Sequence, residues 1–353
     1  MNCNTHDSDA DCSLPDLQHD RVQMAHGSGG RVMNDLIRRL FHAHFSNQYL
    51  HNLDDGALLP LTQDRIAFST DTYVVHPIFF PGGDIGELAV NGTVNDLCMC
   101  GAKPLYLSVG FILEEGLPFR DLIRIVQSMA RAAQRAGVQI VTGDTKVVDH
   151  GKADQLFINT AGIGIVQHAH RMGARHLHPG DKILLSGSVG QHGLAVFSQR
   201  KGLEFSGKIE SDTAPLHELT SALLNACGPA VHALRDPTRG GVAAVLNEFA
   251  EASEVEIHIM EDKIPVSATV QNGCALLGLD PLYLANEGKM ICVISAEEAE
   301  KAVRTLRAHP LAQEAAVIGE VVAGHAGLVS LQTHLGAWRV LHWPSGELLP
   351  RIC

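Results

Sequence analysis

At 353 residues the chain is longer than one hydrophobic core usually serves, which points to two domains. Its 39 acidic residues against 27 Lys and Arg give a formal charge of −12, which argues against a nucleic-acid surface while leaving room for a local basic patch. No apolar run approaches ~20 residues, and the start Met1 to His6 has neither the basic head nor the apolar core of a signal peptide. No membrane partner is expected, and the eight scattered Cys read as free thiols of a cytoplasmic protein.

Residues 1–20 are polar and aperiodic and read as disordered. His26-Gly27-Ser28-Gly29-Gly30 then leads into Val32, Met33, Leu36, Ile37, Leu40 and Phe41 at helical spacing, a glycine-rich loop at the head of an amphipathic helix. Such a loop brings backbone N–H groups to phosphate oxygens, although without the Lys-Ser/Thr of a P-loop it equally serves as a flexible turn. Asp54-Asp55-Gly56-Ala57 forms a turn, and Ile66 to Asp71 a strand ending on a carboxylate. A helix is expected from Ile85 to Met99 with Asn91 and Asn95 on one face. Pro104 to Leu113 reads as a strand and Phe119 to Ala136 as an amphipathic helix; Val138 to Val141 is a strand running into Thr142-Gly143-Asp144-Thr145-Lys146. Residues 156–166 form another strand, and the His- and Arg-containing stretch 167–179 is the expected linker.

The second half begins with the strand Ile183 to Ser186 and a glycine turn from Gly187 to Gly193. Helices follow near 214–226 and 241–253, with strands at 255–259, 290–295 and 315–322 and a helical segment from Ala296 to Ala308. The alternation gives mixed α/β layers without fixing strand direction. At the end, Pro350-Arg351-Ile352-Cys353 follows the turn Pro344-Ser345-Gly346 and lacks helical periodicity, so the final thiol sits on a flexible arm. The α-carboxylate beside Cys353 raises its thiol pKa, and the sulfur therefore needs help to react.

Asp54, Asp55, Asp71, Asp96, Asp144 and Asp236 all fall at expected ends of strands or helices. Each alone is most often a turn or cap residue, but six together with glycine loops suit Mg²⁺ and substrate phosphates. Lys146 either offsets phosphate charge or covers surface, and Glu287 in Asn286-Glu287-Gly288-Lys289-Met290 is either a buried general base or an acid in a turn. The pairs His42/His44, His168/His170 and His176/His178 raise metal binding, although the first falls in a helical pattern where the side chains diverge. Cys98 and Cys100, inside an apolar helix, read as packed small residues rather than a zinc pair.

In their order, His26-Gly27-Ser28-Gly29-Gly30, Asp54-Asp55-Gly56-Ala57, Asn91-Gly92-Thr93-Val94-Asn95-Asp96-Leu97, Gly143-Asp144-Thr145-Lys146 and Asp236-Pro237-Thr238-Arg239-Gly240-Gly241 resemble the aminoimidazole-ribonucleotide-synthetase-like ATP-dependent superfamily. The ending Pro350-Arg351-Ile352-Cys353 narrows the resemblance to the HypE family of [NiFe]-hydrogenase maturation proteins. It covers residues 21–353. The reactive loop cysteine of the related selenophosphate synthetases has no counterpart in His26 to Arg31.

The resemblance implies a two-domain α/β fold with a mobile tail. The expected units are a disordered start at 1–20, a lid and helix at 21–50, an ATP-binding and dimerisation domain at 51–170, a second α/β domain at 171–336, and the tail at 337–353. It further implies ATP and Mg²⁺, a homodimer joined through the first domain's sheet, the carbamoyltransferase HypF as the loading partner, and HypC-HypD as the iron scaffold. Asp55, Asp71, Asp96 and Asp236 would serve the metal. Gly27, Ser28, Gly29, Gly30, Asp54, Asn95, Gly143, Asp144 and Thr145 would serve the nucleotide. Cys353 would carry the carbamoyl group, with Glu287 and Lys146 lining the channel into which the tail inserts. Two other classes stay open: an ATP-dependent small-molecule kinase or synthetase on the same scaffold, and a His-rich metal-binding accessory protein.

Overall fold

The computed structural model describes residues 30–36, 38, 57–60, 65–203, 205, 207–346, 349 and 351–353. The first half contains α1 (Arg31–Leu36), β1 (Ala57–Pro60), β2 (Arg65–Tyr73), a small hairpin of β3 (Phe79–Phe80) and β4 (Gly83–Asp84), α2 (Ile85–Met99), β5 (Ala102–Glu114), α3 (Phe119–Ala136), β6 (Gln139–Val148) and β7 (Leu156–Val166). Five strands join in the order β1-β2-β7-β5-β6, antiparallel except for the β5–β6 pair. Every second residue of β7 is buried, because one face of the sheet carries α2 while the other is bare among the described residues. On the bare face Phe68, Ile163 and Tyr106 stand in register across three strands and remain exposed. Helix α2 starts where the Asp84 carboxylate accepts the Gly86 and Glu87 N–H groups, and α3 stops at Gly137 in the left-handed region.

The second half contains β8 (Lys182–Leu185), α4 (Gln191–Lys201), α5 (His217–Cys227), β9 (Val231–Arg235), α6 (Gly241–Ser253), β10 (Glu256–Met260), α7 (Ala268–Leu277), β11 (Ile291–Ile294), α8 (Ala299–Arg307), β12 (Ala316–Val322), β13 (Leu328–Gln332) and β14 (Trp338–Val340). Its sheet runs β14-β13-β10-β12-β8-β11-β9, with only β10 and β13 parallel. The central strand β11 is buried throughout, as its unbroken apolar run Ile291–Ile294 requires. Among the described residues no helix is long and apolar enough to cross a membrane.

Helices α2 and α3 and strand β7 coincide with their sequence expectations, but two carboxylates move. Strand β2 continues past Asp71 to Tyr73, and β6 runs through Thr142–Lys146 to Val148, so Asp71 and Asp144 lie within strands and not at their ends. The ladder to β5 holds Gly143 and Asp144 opposite Val109 and Gly110, and this pairing overrides the break expected at the glycine. Gly193 lies inside α4, one turn beyond the glycine turn that was to contain it.

One continuous core runs from α2, α3 and β7 through α5 and β11 to Ile352 and Cys353, so the two halves are packed through the chain terminus. Asn95 fastens them as well. Its Nδ2 donates to Ala214 O (3.1 Å) and Glu287 O (3.2 Å), and its Oδ1 accepts the Leu216 N–H (2.8 Å). Asn91 Nδ2 adds a bond to Thr213 Oγ1 at 3.1 Å. Replacing Asn95 by Ala strands the Ala214 carbonyl and the Leu216 N–H and leaves Glu287 O with only the Ala214 N–H, and chemical denaturation should show a loss of about 2–4 kcal/mol.

Candidate active site

The tail docks by backbone pairing. After β14 the Pro344 carbonyl accepts the Arg31 N–H (3.2 Å), and the chain returns to lie beside the segment that follows β2. The Cys353 terminal oxygen accepts the Val74 N–H (3.1 Å) and Arg351 O accepts the His76 N–H (3.3 Å), while Arg351 Nε donates to Val74 O (3.0 Å). Arg200 holds both strands of this pairing, donating to His76 O (2.8 Å) and Arg351 O (2.6 Å). The Arg351 guanidinium pairs with Asp154, whose carboxylate also faces His76 Nδ1 at 3.1 Å. Arg351 takes φ 50°, a left-handed conformation that costs a residue with a Cβ about 1–3 kcal/mol. These bonds offset it.

His192 lies 2.8 Å from Ile352 O through Nε2 and 2.8 Å from Ser211 Oγ through Nδ1. A carbonyl only accepts, so Nε2 carries the hydrogen, and burial lowers the pKa and keeps the ring neutral. Nδ1 therefore accepts from Ser211.

The terminal thiol ends among acids. Burial pushes Cys353 up to about 12; the Arg239 guanidinium opposes the rise, and Glu287, Asp71 and Asp236 add to it. Cys353, Asp71 and Glu287 in turn hold Arg239 cationic against its own burial. Glu287 is 3% exposed, and its Oε1 has no hydrogen-bond partner among the described residues. Burial, then Asp236, Asp71 and Asp212, raise it well above the carboxylate range. Asp236 is pushed up to about 6, chiefly by burial, against the pull of Arg235. Asp212 goes the other way: burial works against its charge, but Lys289 at 3.1 Å, His192 and the Glu287 N–H outweigh it and hold the carboxylate ionised.

Two glycine features place these groups. A Cβ on Gly288 would sit 1.9 Å from Asp212 O, so only glycine lets Glu287 and Lys289 flank that backbone. Gly240 and Gly241 take φ of 77° and 62°, which ends the Asp236–Arg239 loop and starts α6 under it.

Of the residues expected from sequence, Cys353, Glu287, Asp71 and Asp236 converge, and Asn95 holds the Glu287 backbone. Asp96 accepts from Ser69 Oγ (2.7 Å) and joins Asp71 and Glu287 in acting on buried Tyr73. Asp71, Asp96 and Asp236 do not form a preassembled cage, since their oxygens are not all within 4.8 Å of one another. Lys146 lies on the exposed edge strand β6, where its ammonium closes on Asp144 at 2.6 Å. Gly143, Asp144 and Thr145 share that edge. Gly30 is buried against the base of the tail, where a Cβ would lie 2.5 Å from Pro344 O. Gly27, Ser28, Gly29, Asp54 and Asp55 lie outside the described residues. Cys98 and Cys100 are buried and form no disulfide among the described residues.

Arg239 and Lys289 stood inside recognised motifs without a role. Asp212, His192, Arg200 and Asp154 carried no local signal, because their contacts to the tail and to Lys289 span long stretches of chain.

Residues 53–166 match the AIR synthase related protein N-terminal domain and residues 178–331 the corresponding C-terminal domain. Over 338 residues the chain is 52% identical to the carbamoyl dehydratase HypE of Azotobacter vinelandii, covering 96% of this chain and 99% of that one. The crystal structure of a HypE-HypF complex is similar with a TM-score of 0.83 at 48% identity, covering 88% of this chain and 99% of the other. A hydrogenase maturation protein HypE in complex with ATP gives a TM-score of 0.80 at 51% identity, covering 94% and 100%. With such identity sustained along nearly the whole of both chains, the protein belongs to the HypE family of carbamoyl dehydratases.

Proposed function

We propose that this enzyme dehydrates a carbamoyl group carried on its own Cys353 to a protein thiocyanate at the expense of ATP, supplying the cyanide ligand in [NiFe]-hydrogenase maturation. The observation that carries the assignment to Cys353 is the tail itself: seven hydrogen bonds and ion pairs described above draw a chain terminus, normally a free end, into a pocket of buried acids.

The chemistry balances as R–S–C(=O)–NH₂ + ATP → R–S–C≡N + ADP + phosphate. The carbamoyl oxygen attacks the γ-phosphorus and ADP leaves, while nitrogen gives up one proton. Loss of the second nitrogen proton then expels phosphate, taking the oxygen with it, and closes the C≡N bond. Glu287 is assigned as the base, because its Oε1 is buried and unengaged and its raised affinity for a proton suits it to taking one from nitrogen once ionised. Arg239, beside the sulfur, stabilises charge as it develops. Docking makes phosphoryl transfer effectively intramolecular.

The donor set fits a hard cation: Asp71, Asp96 and Asp236, with Asp55 from outside the described residues, offer only oxygen, and Asp236 sits in a field that leaves it short of positive charge. Mg²⁺ held there, when bound, neutralises phosphate charge. On the same reading Gly27, Ser28, Gly29 and Gly30 cover the nucleotide phosphates, and Asp54, Asn95, Gly143, Asp144 and Thr145 line the nucleotide site. Residues 51–170 and 171–336 form the two units, and within 337–353 the end of the chain past β14, which stays paired with β13, moves between an inner and an outer position.

The exposed row of Phe68, Ile163 and Tyr106 supports pairing of the first sheet with a second copy of the chain. Such a dimer offers β6, with Asp144 and Lys146, to the partner's site, which is where Lys146 would serve. HypF loads the outer tail and a HypC-HypD scaffold receives the product. Six described cysteines are free, in keeping with a cytoplasmic setting.

Intact-protein mass spectrometry after incubation with HypF, carbamoyl phosphate, ATP and Mg²⁺ should show a carbamoyl adduct on the C-terminal peptide that loses the mass of one water only with ATP. Cys353→Ala should give neither product; a free-substrate kinase on this scaffold would be indifferent to that change. Glu287→Gln should still be loaded but dehydrate about 10²–10⁴-fold more slowly. The wild-type rate should rise with pH to values beyond the ordinary glutamate range, since a base with a raised pKa is protonated, and idle, below it. Releasing the tail by Arg200→Ala or Asp154→Ala should speed iodoacetamide labelling of Cys353 by about tenfold near pH 8, because a solvated thiol ionises far more readily than a buried one.

A further inference from the structure

Away from the tail pocket, His178 on the 167–179 connector, Asp181 just before β8 and His232 in β9 place one ligand atom each within 4.8 Å of one another. His232 Nδ1 is 2.7 Å from Asp181 Oδ2, and His178 Nδ1 is 3.9 Å from the same oxygen. The two rings meet edge to face at 5.0 Å. The carboxylate is fixed and nearly buried: its Oδ2 accepts the His178 N–H (2.8 Å), and the Asp181 carbonyl accepts the Val321 N–H (2.9 Å). Gly173 N–H donates to His232 O (2.9 Å), so the connector is already laid along β9 at this point.

None of these three side chains takes part in the dehydration proposed above.

We propose that His178, Asp181 and His232 bind one late first-row divalent cation, Zn²⁺ foremost, with water as the fourth ligand. Two imidazoles and a single carboxylate suit Zn²⁺, whereas Mg²⁺ seeks an all-oxygen set. Tetrahedral bonds of about 2.0–2.1 Å put ligand atoms roughly 3.3 Å apart. The 3.9 Å from His178 to Asp181 closes to that by a small rotation of His178, whose side chain is 68% exposed, while the 2.7 Å from His232 to Asp181 opens as the cation takes the place of the hydrogen between them. The cation clips the connector between the two domains to the second sheet.

Full-length protein stripped with a chelator is titrated with Zn²⁺ by calorimetry, comparing wild type with His178→Gln and with His150→Gln. His150 is an exposed histidine beside Glu114 and serves as the control for adventitious binding. The expected result is a saturable one-to-one site in wild type and His150→Gln that weakens by about tenfold or more in His178→Gln. Co²⁺ loading should give the visible absorption of a tetrahedral nitrogen- and oxygen-bound ion in the first two proteins and lose it in the third. Equal Zn²⁺ affinity in wild type and His178→Gln, or no saturable site in wild type, overturns the proposal.

Discussion

A chain terminus bears a full negative charge and prefers water, yet here it is driven into a pocket whose walls are already acidic. The arrangement depends on a short supply of cations at fixed positions: Arg239 beside the sulfur, Lys289 on Asp212, and Arg200 on the backbone of the tail. Arg239 and Lys289 offset specific charges while Arg200 binds neutral carbonyls, and the acids left over, Glu287 and Asp236, respond by holding protons more tightly. Such a pocket is electrostatically unfinished. It is completed by whatever brings positive charge, which couples the docked tail to cation and nucleotide chemistry through one shared field.

The same constraint explains the backbone. Gly288 is squeezed against Asp212 so that Glu287 and Lys289 can flank that residue's backbone, and the paired glycines after Arg239 turn the chain sharply enough to leave that guanidinium in the pocket. Asn95 ties α2 of the first domain to the two loops that supply Asp212 and Glu287. The core that spans both halves ends on Ile352 and Cys353, so the tail is at once reactant carrier and packing element.

Much of the fold was legible because its long elements have strong local patterns. The run Phe119–Ala136 alternates at helical period and ends at a left-handed glycine, and β7 alternates at strand period. The convergence of Cys353, Glu287, Asp71 and Asp236 was reached by motif order, since no local pattern ties position 353 to position 71. What local reasoning misread was β6. Its Gly143-Asp144 looks like a strand end, whereas the ladder to β5 carries straight through, so Asp144 and Lys146 lie on an outer edge. The latch of Arg200, Asp154 and His192 was invisible for a related reason: these side chains serve a terminus more than a hundred positions away, and only the folded chain brings them to it.

Burial of the sulfur also sets the order of events. A docked thiol held near pKa 12 is neither nucleophilic nor within reach of a second enzyme, so it can acquire its cargo only while outside. Once inside without cargo, it offers S–H and no carbamoyl oxygen for a bound triphosphate to phosphorylate. Loading and dehydration thus exclude each other in time. On the proposed cycle, one sulfur shuttling between two surroundings gives the reaction its direction and guards the nucleotide against idle turnover.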